Sequence, residues 1–102
     1  MKRLLVANRG EIAARIIRTA QEMGLETVLA ASEADRESYA AQLSDLVTVI
    51  GPAQAGQSYL NSKALTDAIR SSGADAVHPG YGFLSEDAEF AKSGIAAGAT
   101  WV

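Results

Sequence analysis

Short apolar runs alternate with amphipathic stretches along the whole chain, and glycines punctuate many of the junctions. This alternation constrains the fold more than any other feature. Leu4-Leu5-Val6-Ala7 is a continuous apolar run of the kind a strand buried on both faces requires. Residues 11–23 follow helical spacing, with Ile12, Ile16, Ala20 and Met23 expected inward and Ile17 at the edge. Glu11, Arg15, Arg18 and Glu22 form a polar stripe on the opposite side, and Gly24 supplies the stop. Residues 27–31 read as the next strand, 32–36 as a polar connection and 37–43 as a short helix. A β-branched strand over 46–50 and a loop over 51–57 follow. Asn61 is placed to cap a helix to residue 72, with Leu65, Ala68 and Ile69 inward and Gly73 as its end. Ala76-Val77 reads as a fourth strand. Ser85 is expected to cap a last helix carrying Glu86 and Asp87 in its first turn, favourable to the macrodipole. Gly94 and Gly98 lead to a fifth strand at Thr100. Alternating βα units imply an α/β, Rossmann-like, three-layer domain: a parallel sheet of about five strands, right-handed crossovers and helices on both faces.

Composition narrows the function. The 102 residues fit one domain, and 48% hydrophobic with 21% charged residues is ordinary for a globular chain. A net charge of −3 makes the domain a poor partner for nucleic acid. The absence of cysteine excludes disulfides, thiolate metal sites and a Cys nucleophile, and one histidine excludes a His-based metal cluster. No apolar run approaches the roughly 18–20 residues of a membrane span. The first apolar run breaks at Asn8-Arg9-Gly10, against a signal peptide, so the chain reads as cytoplasmic. It stops at an apolar strand, Thr100-Trp101-Val102, which reads as a piece of something longer.

In a parallel sheet of this kind ligands sit at the carboxyl ends of the strands. Three segments fall there: Asn8-Arg9-Gly10-Glu11, Ser32-Glu33-Ala34-Asp35 and His78-Pro79-Gly80-Tyr81-Gly82-Phe83. The first is similar to a dinucleotide-binding turn in its glycine between strand and helix, with Glu33 or Asp35 available to a ribose. Only Gly10 of the G-x-G-x-x-G pattern is present, however, and Glu11 would oppose a pyrophosphate. The plain reading is that Gly10 relieves a tight strand-to-helix turn and Asn8 satisfies turn backbone groups. The Glu11–Arg15–Arg18–Glu22 stripe is either a solvated face with i,i+4 pairs or a polar interface. In the third segment, Pro79 holds His78 extended and two glycines flank Tyr81. Such a loop can present an aromatic ring and free N–H groups to a flat polar ligand. No catalytic constellation follows from spacing.

The segments together resemble the opening of the biotin carboxylase family. They are Leu5-Val6-Ala7-Asn8-Arg9-Gly10-Glu11-Ile12-Ala13, Arg15, Ile16-Ile17-Arg18, Ser32, Ala34-Asp35-Arg36, Ile50-Gly51-Pro52, Ser58-Tyr59-Leu60-Asn61 and Gly73 through Glu86. The resemblance covers nearly the whole chain. It departs at Ala31, Ala40 and Asp87, where the family usually has a bulky Tyr or His, a His and an Asn, and over residues 37–41.

The resemblance implies that residues 1–102 are a pre-ATP-grasp N-terminal domain without the ATP-grasp and C-terminal regions. The parent enzyme would be an ATP-dependent ligase that uses ATP, magnesium or manganese and bicarbonate to carboxylate biotin on a carrier protein, through carboxyphosphate. It also implies that Tyr81 and Gly82 lie beside the biotin site and that Arg18 and Glu22 lie at a homodimer interface. The fragment alone would hold no catalytic residue, metal or cofactor, and its partners would be the rest of the chain and the carrier protein. A self-standing Rossmann-type nucleotide-binding module is the alternative.

Overall fold

The strands assemble in the order β3-β2-β1-β4-β5, all parallel. The computed structural model describes residues 1–83, 85 and 87–102. Its elements are β1 (Arg3–Val6), α1 (Gly10–Glu22), β2 (Glu26–Ser32), α2 (Tyr39–Leu43), β3 (Leu46–Gly51), α3 (Ser62–Ser72), β4 (Ala76–His78), α4 (Ala88–Ala96) and β5 (Thr100–Trp101). Short 3-10 turns lie at Glu33–Asp35 and Ala55–Gln57. The chain winds outward from β1 to β3, crosses back to β4 and continues to β5. The winding direction therefore reverses between β1 and β4, the position where such sheets open a crevice.

Alternation along β1 sends its side chains into two cores. Leu5 and Ala7 join Val28, Ala30 and Val77 of the sheet with Leu65, Ala68 and Ile69 of α3 and Phe90 of α4. Leu4 and Val6 join Leu29, Ala31 and Ala76 with Ala13, Ala14, Ile17 and Ala20 of α1 and Ala40 and Ala41 of α2. The α/β, three-layer, five-stranded architecture read from the alternation is therefore the one the chain adopts. Phe90 is fully buried and meets Trp101 edge-on, with centroids 5.1 Å apart. That contact anchors the short β5.

Two local expectations change. The buried stripe of α1 is Ala13, Ala14, Ile17 and Ala20; Ile17 is central, Ile12 and Ile16 are half-buried, and Met23 is exposed. The small alanines let α1 lie close to the sheet and α2, and this rotates the larger Ile12 and Ile16 toward the flank. There they line a trough of about 570 Å³ together with Leu4, Met23, Tyr81 and Val102. The second change is at α4. The Asp87 carboxylate, not the Ser85 hydroxyl, caps it, accepting from Phe90 N at 3.1 Å. Ser85 N instead closes the preceding turn on Gly82 O at 3.0 Å. Leu84 and Glu86, quoted in the motif above, lie outside the described residues.

The second helix begins at Tyr39, two residues later than expected, because Ser38 caps it by accepting from Ala41 N at 3.2 Å, whereas the ends of α3 follow the sequence. Asn61 accepts from Ala64 N at 3.1 Å, and Gly73 ends α3 in the left-handed conformation. Ala31 and Ala40 are both buried in the α1–α2 core.

Candidate functional site at the carboxyl edge of the sheet

Asn8 follows β1 and residues 79–83 follow β4, so both segments sit at the reversal point. Asn8 is fully buried. Its Nδ2 donates to Pro79 O and to Tyr81 O, each at 2.8 Å, and its Oδ1 accepts from Arg9 N at 2.8 Å. The carboxamide thus ties the β1 turn to the β4 loop. Gly80 lies directly over it: a Cβ added there would stand 2.8 Å from Asn8 Nδ2 and 2.9 Å from Ile12 Cγ2, and its φ is +67°. Only glycine fits such an approach without strain. His78 Nδ1 accepts from Gly80 N at 3.1 Å, and burial lowers the His78 pKa from 6.5, so the neutral ring is favoured.

Beside this loop lies a second network. Arg9 Nε and Nη2 donate to the two Asp35 oxygens at 2.7 and 3.1 Å. Tyr59 Oη donates to Asp35 Oδ2 at 2.7 Å and accepts from Ser32 N at 3.1 Å. The Arg9 hydrogen bond lowers the Asp35 pKa from 3.8 to about 2 against the opposing effect of burial. The same contact raises that of Arg9. Burial raises the Tyr59 hydroxyl. The Tyr59 ring meets Phe83 at 5.3 Å between centroids. Phe83 has φ +47°, the left-handed region that a residue with a Cβ seldom enters.

The loop at 79–83 is therefore braced on both flanks, by Asn8 through two carbonyls and by Tyr59 through Phe83. Between the braces it is open. Tyr81 is 72% exposed, Gly82 is exposed, and the Tyr81 and Gly82 N–H groups donate to no group among the described residues. An aromatic face beside free donors suits a flat, polar, uncharged ring system.

The first βα turn is built differently from a dinucleotide site. Gly10 takes φ +63° and opens α1, which is the plain reading of that glycine. Arg9 at the N-cap position is held by Asp35, and Glu11 stands in the first turn. Asp35, one of the two carboxylates considered for a ribose, is occupied by Arg9, Tyr59 and the Ser32 hydroxyl, and the other, Glu33, pairs with Arg36 at 3.2 Å on the surface. That Arg9–Asp35–Tyr59 cluster was not read from the sequence. The available signal was an arginine and an aspartate placed just after neighbouring parallel strands.

Arg18 and Glu22 lie on the exposed face of α1, away from this edge. Arg18 donates to Glu11 Oε1 at 3.1 Å and to Tyr39 Oη at 3.3 Å, and its guanidinium stands 6.0 Å from the Tyr39 ring centroid. Among the described residues no group of three His, Asp or Glu side chains could hold a metal ion. No helix among them is long and apolar enough to cross a membrane.

Comparison with known proteins decides the family. Residues 1–102 match the family described as biotin carboxylase, N-terminal domain. The chain belongs to that family. It is 51% identical over 102 residues to the methylcrotonoyl-CoA carboxylase subunit alpha of Glycine max, covering all of this chain and 14% of that one. It is 50% identical over 92 residues to biotin carboxylase 1 of Bacillus subtilis, covering 90% of this chain and 20% of that one. The domain therefore spans a seventh to a fifth of the length of these curated relatives.

The fold agrees with that membership. The biotin carboxylase domain dimer of Hydrogenobacter thermophilus 2-oxoglutarate carboxylase, solved with MgADP, ADP and bicarbonate, superposes with a TM-score of 0.90. Its identity to this domain is 40%, over 98% of this chain and 22% of that one. The biotin carboxylase N-terminal domain fold is thus shown in both sequence and structure.

Proposed function

We propose that this biotin carboxylase N-terminal domain works within a longer ATP-dependent ligase that uses ATP and bicarbonate to carboxylate biotin on a carrier protein. Residues 1–102 would be its first domain, and the ATP-grasp and C-terminal regions would supply the nucleotide, magnesium or manganese and reacting groups. The observation that carries this reading is the braced, open loop at the β1–β4 reversal. Tyr81 offers a ring face, and the Tyr81 and Gly82 N–H groups offer donors of the kind a ureido carbonyl accepts. Biotin supplies, when bound, the ureido nitrogen that receives the carboxyl group; this domain's part is to orient the ring and exclude water on one side. The first βα turn suits ATP poorly, because Glu11 adds negative charge to the first turn of α1 and Arg9 is already paired with Asp35. The domain alone is therefore inactive.

The exposed Arg18–Glu22 face of α1 would serve a homodimer, supported by the dimer formed by the Hydrogenobacter relative. Cytoplasmic placement belongs to the same reading, and the Glycine max relative is named mitochondrial. The test is ATP cleavage by the full-length protein. Cleavage should require bicarbonate, rise with free biotin, and be absent from residues 1–102 alone. Activity of the isolated domain, or indifference of the full protein to biotin, would refute the assignment. The alternative, a self-standing nucleotide module, loses the Asp35 carboxylate it would offer a ribose, because Asp35 is committed to Arg9.

A further inference from the structure

Asn8 makes more contacts across the reversal point than any turn requires. A strand-to-helix turn needs a side chain that satisfies its own backbone, and the Asn8 Oδ1 bond to Arg9 N does so. The two Nδ2 bonds do something else. They reach across 71 and 73 positions of sequence to the carbonyls on either side of Gly80. Pulling Pro79 O and Tyr81 O toward one buried nitrogen turns the intervening peptide inward and the Tyr81 side chain outward. Gly80 can follow because it has no Cβ to strike Asn8 or Ile12. The conformation of the open loop is thus set by an amide that is itself fully buried and out of reach of any ligand.

We propose that Asn8 is a positioning residue for the biotin-facing loop: its carboxamide, bound to Pro79 O and Tyr81 O, fixes the Tyr81 ring and the neighbouring N–H donors in the orientation that receives the ureido ring. This rests on the function proposed above. An aspartate at this position would keep the acceptor for Arg9 N and nearly the same volume, but would aim a carboxylate oxygen at two carbonyl oxygens. A glutamine would keep the donors and displace them by a methylene.

The experiment is steady-state kinetics of the full-length protein and its N8D and N8Q variants, varying free biotin and ATP separately, with thermal unfolding measured alongside. Loss of two buried hydrogen bonds should raise KM for biotin about tenfold or more in N8D. N8Q should show a smaller rise, while KM for ATP stays within about twofold for both. Unchanged KM for biotin in folded N8D overturns the proposal, as do parallel rises for biotin and ATP. Failure of both variants to fold assigns Asn8 to the fold alone and overturns it too. If the unmutated protein cleaves ATP without regard to biotin, it is the function above that fails, and this role with it.

Discussion

The Asp35 carboxylate takes both of its oxygens to the Arg9 guanidinium while one of them also accepts from Tyr59, 24 residues further along the chain. One aspartate thus joins the carboxyl ends of β1 and β2 to the segment leading into α3. It also decides between two uses of this edge. A carboxylate so engaged is a structural tie, and the hollow beside it is lined by Arg9, Ser32, Tyr59 and Phe83 with its charge already paired.

The tie makes stability depend on acid pH. The Asp35 pKa in the folded domain is about 2, below its ordinary 3.8, so the folded state favours the ionised form. Its contribution is complete above about pH 4 and is lost as pH falls through about 2. Asp35→Asn should cost about 1–2 kcal/mol at neutral pH, a figure discounted because the Arg9 side chain is half exposed. Urea unfolding at neutral pH and near pH 2.5 should show a smaller acid loss in the variant than in the parent domain. Equal acid losses would remove Asp35 from the account.

Gly80 is the tightest point of the loop. Gly80→Ala forces a Cβ against Asn8 and Ile12 at positive φ, and should destabilise by about 2 kcal/mol or more. For a domain of this size that is a fall in Tm of roughly 10 °C. Calorimetry of the two proteins checks it; a shift below about 2 °C would mean that the loop relaxes freely.

Arg18 is poised on the surface, held by Glu11 and Tyr39. Arg18→Glu places a carboxylate against Glu11 and should cost the monomer under about 1 kcal/mol, as exposed pairs do. It should weaken any self-association by much more. Sedimentation velocity of the full-length protein reads this. An unchanged dimer would take the α1 stripe out of the interface.

The first βα turn gives a separate check. NAD, NADP and ATP titrated into residues 1–102 should produce no saturable binding at micromolar concentration, because Asp35 is already engaged by Arg9 and Tyr59 and Glu11 puts a negative charge in the first turn of α1. Micromolar affinity for any of them would revive the self-standing nucleotide module.

The architecture was legible because period and punctuation agree: apolar runs at β1, β2 and β3, Asn61 and Gly73 bracketing α3, and glycine opening α1. The inward face of α1 was misread because hydrophobicity alone ranks Ile12, Ile16 and Met23 above Ala13 and Ala14. Close helix–sheet packing selects the small residues instead. The cap of α4 falls two residues later than expected because Ser85 belongs to the turn closed on Gly82 O and the Asp87 carboxylate takes the capping bond from Phe90 N. Of the site, the exposed Tyr81 loop was readable from its glycines. Its braces were not, since Asn8 with Tyr81 and Arg9 with Asp35 meet only when parallel strands bring distant turns to one edge.

The central claim is that this domain's share of the chemistry is a biotin-facing loop, and Tyr81 tests it most directly. In the full-length protein, Tyr81→Ala removes a mostly exposed ring that makes no hydrogen bond through its side chain among the described residues, so folding should be spared. The account predicts that KM for free biotin rises about fivefold or more, the value of a lost aromatic contact, while KM for ATP is unchanged. An unchanged KM for biotin in a folded Tyr81→Ala enzyme would contradict it.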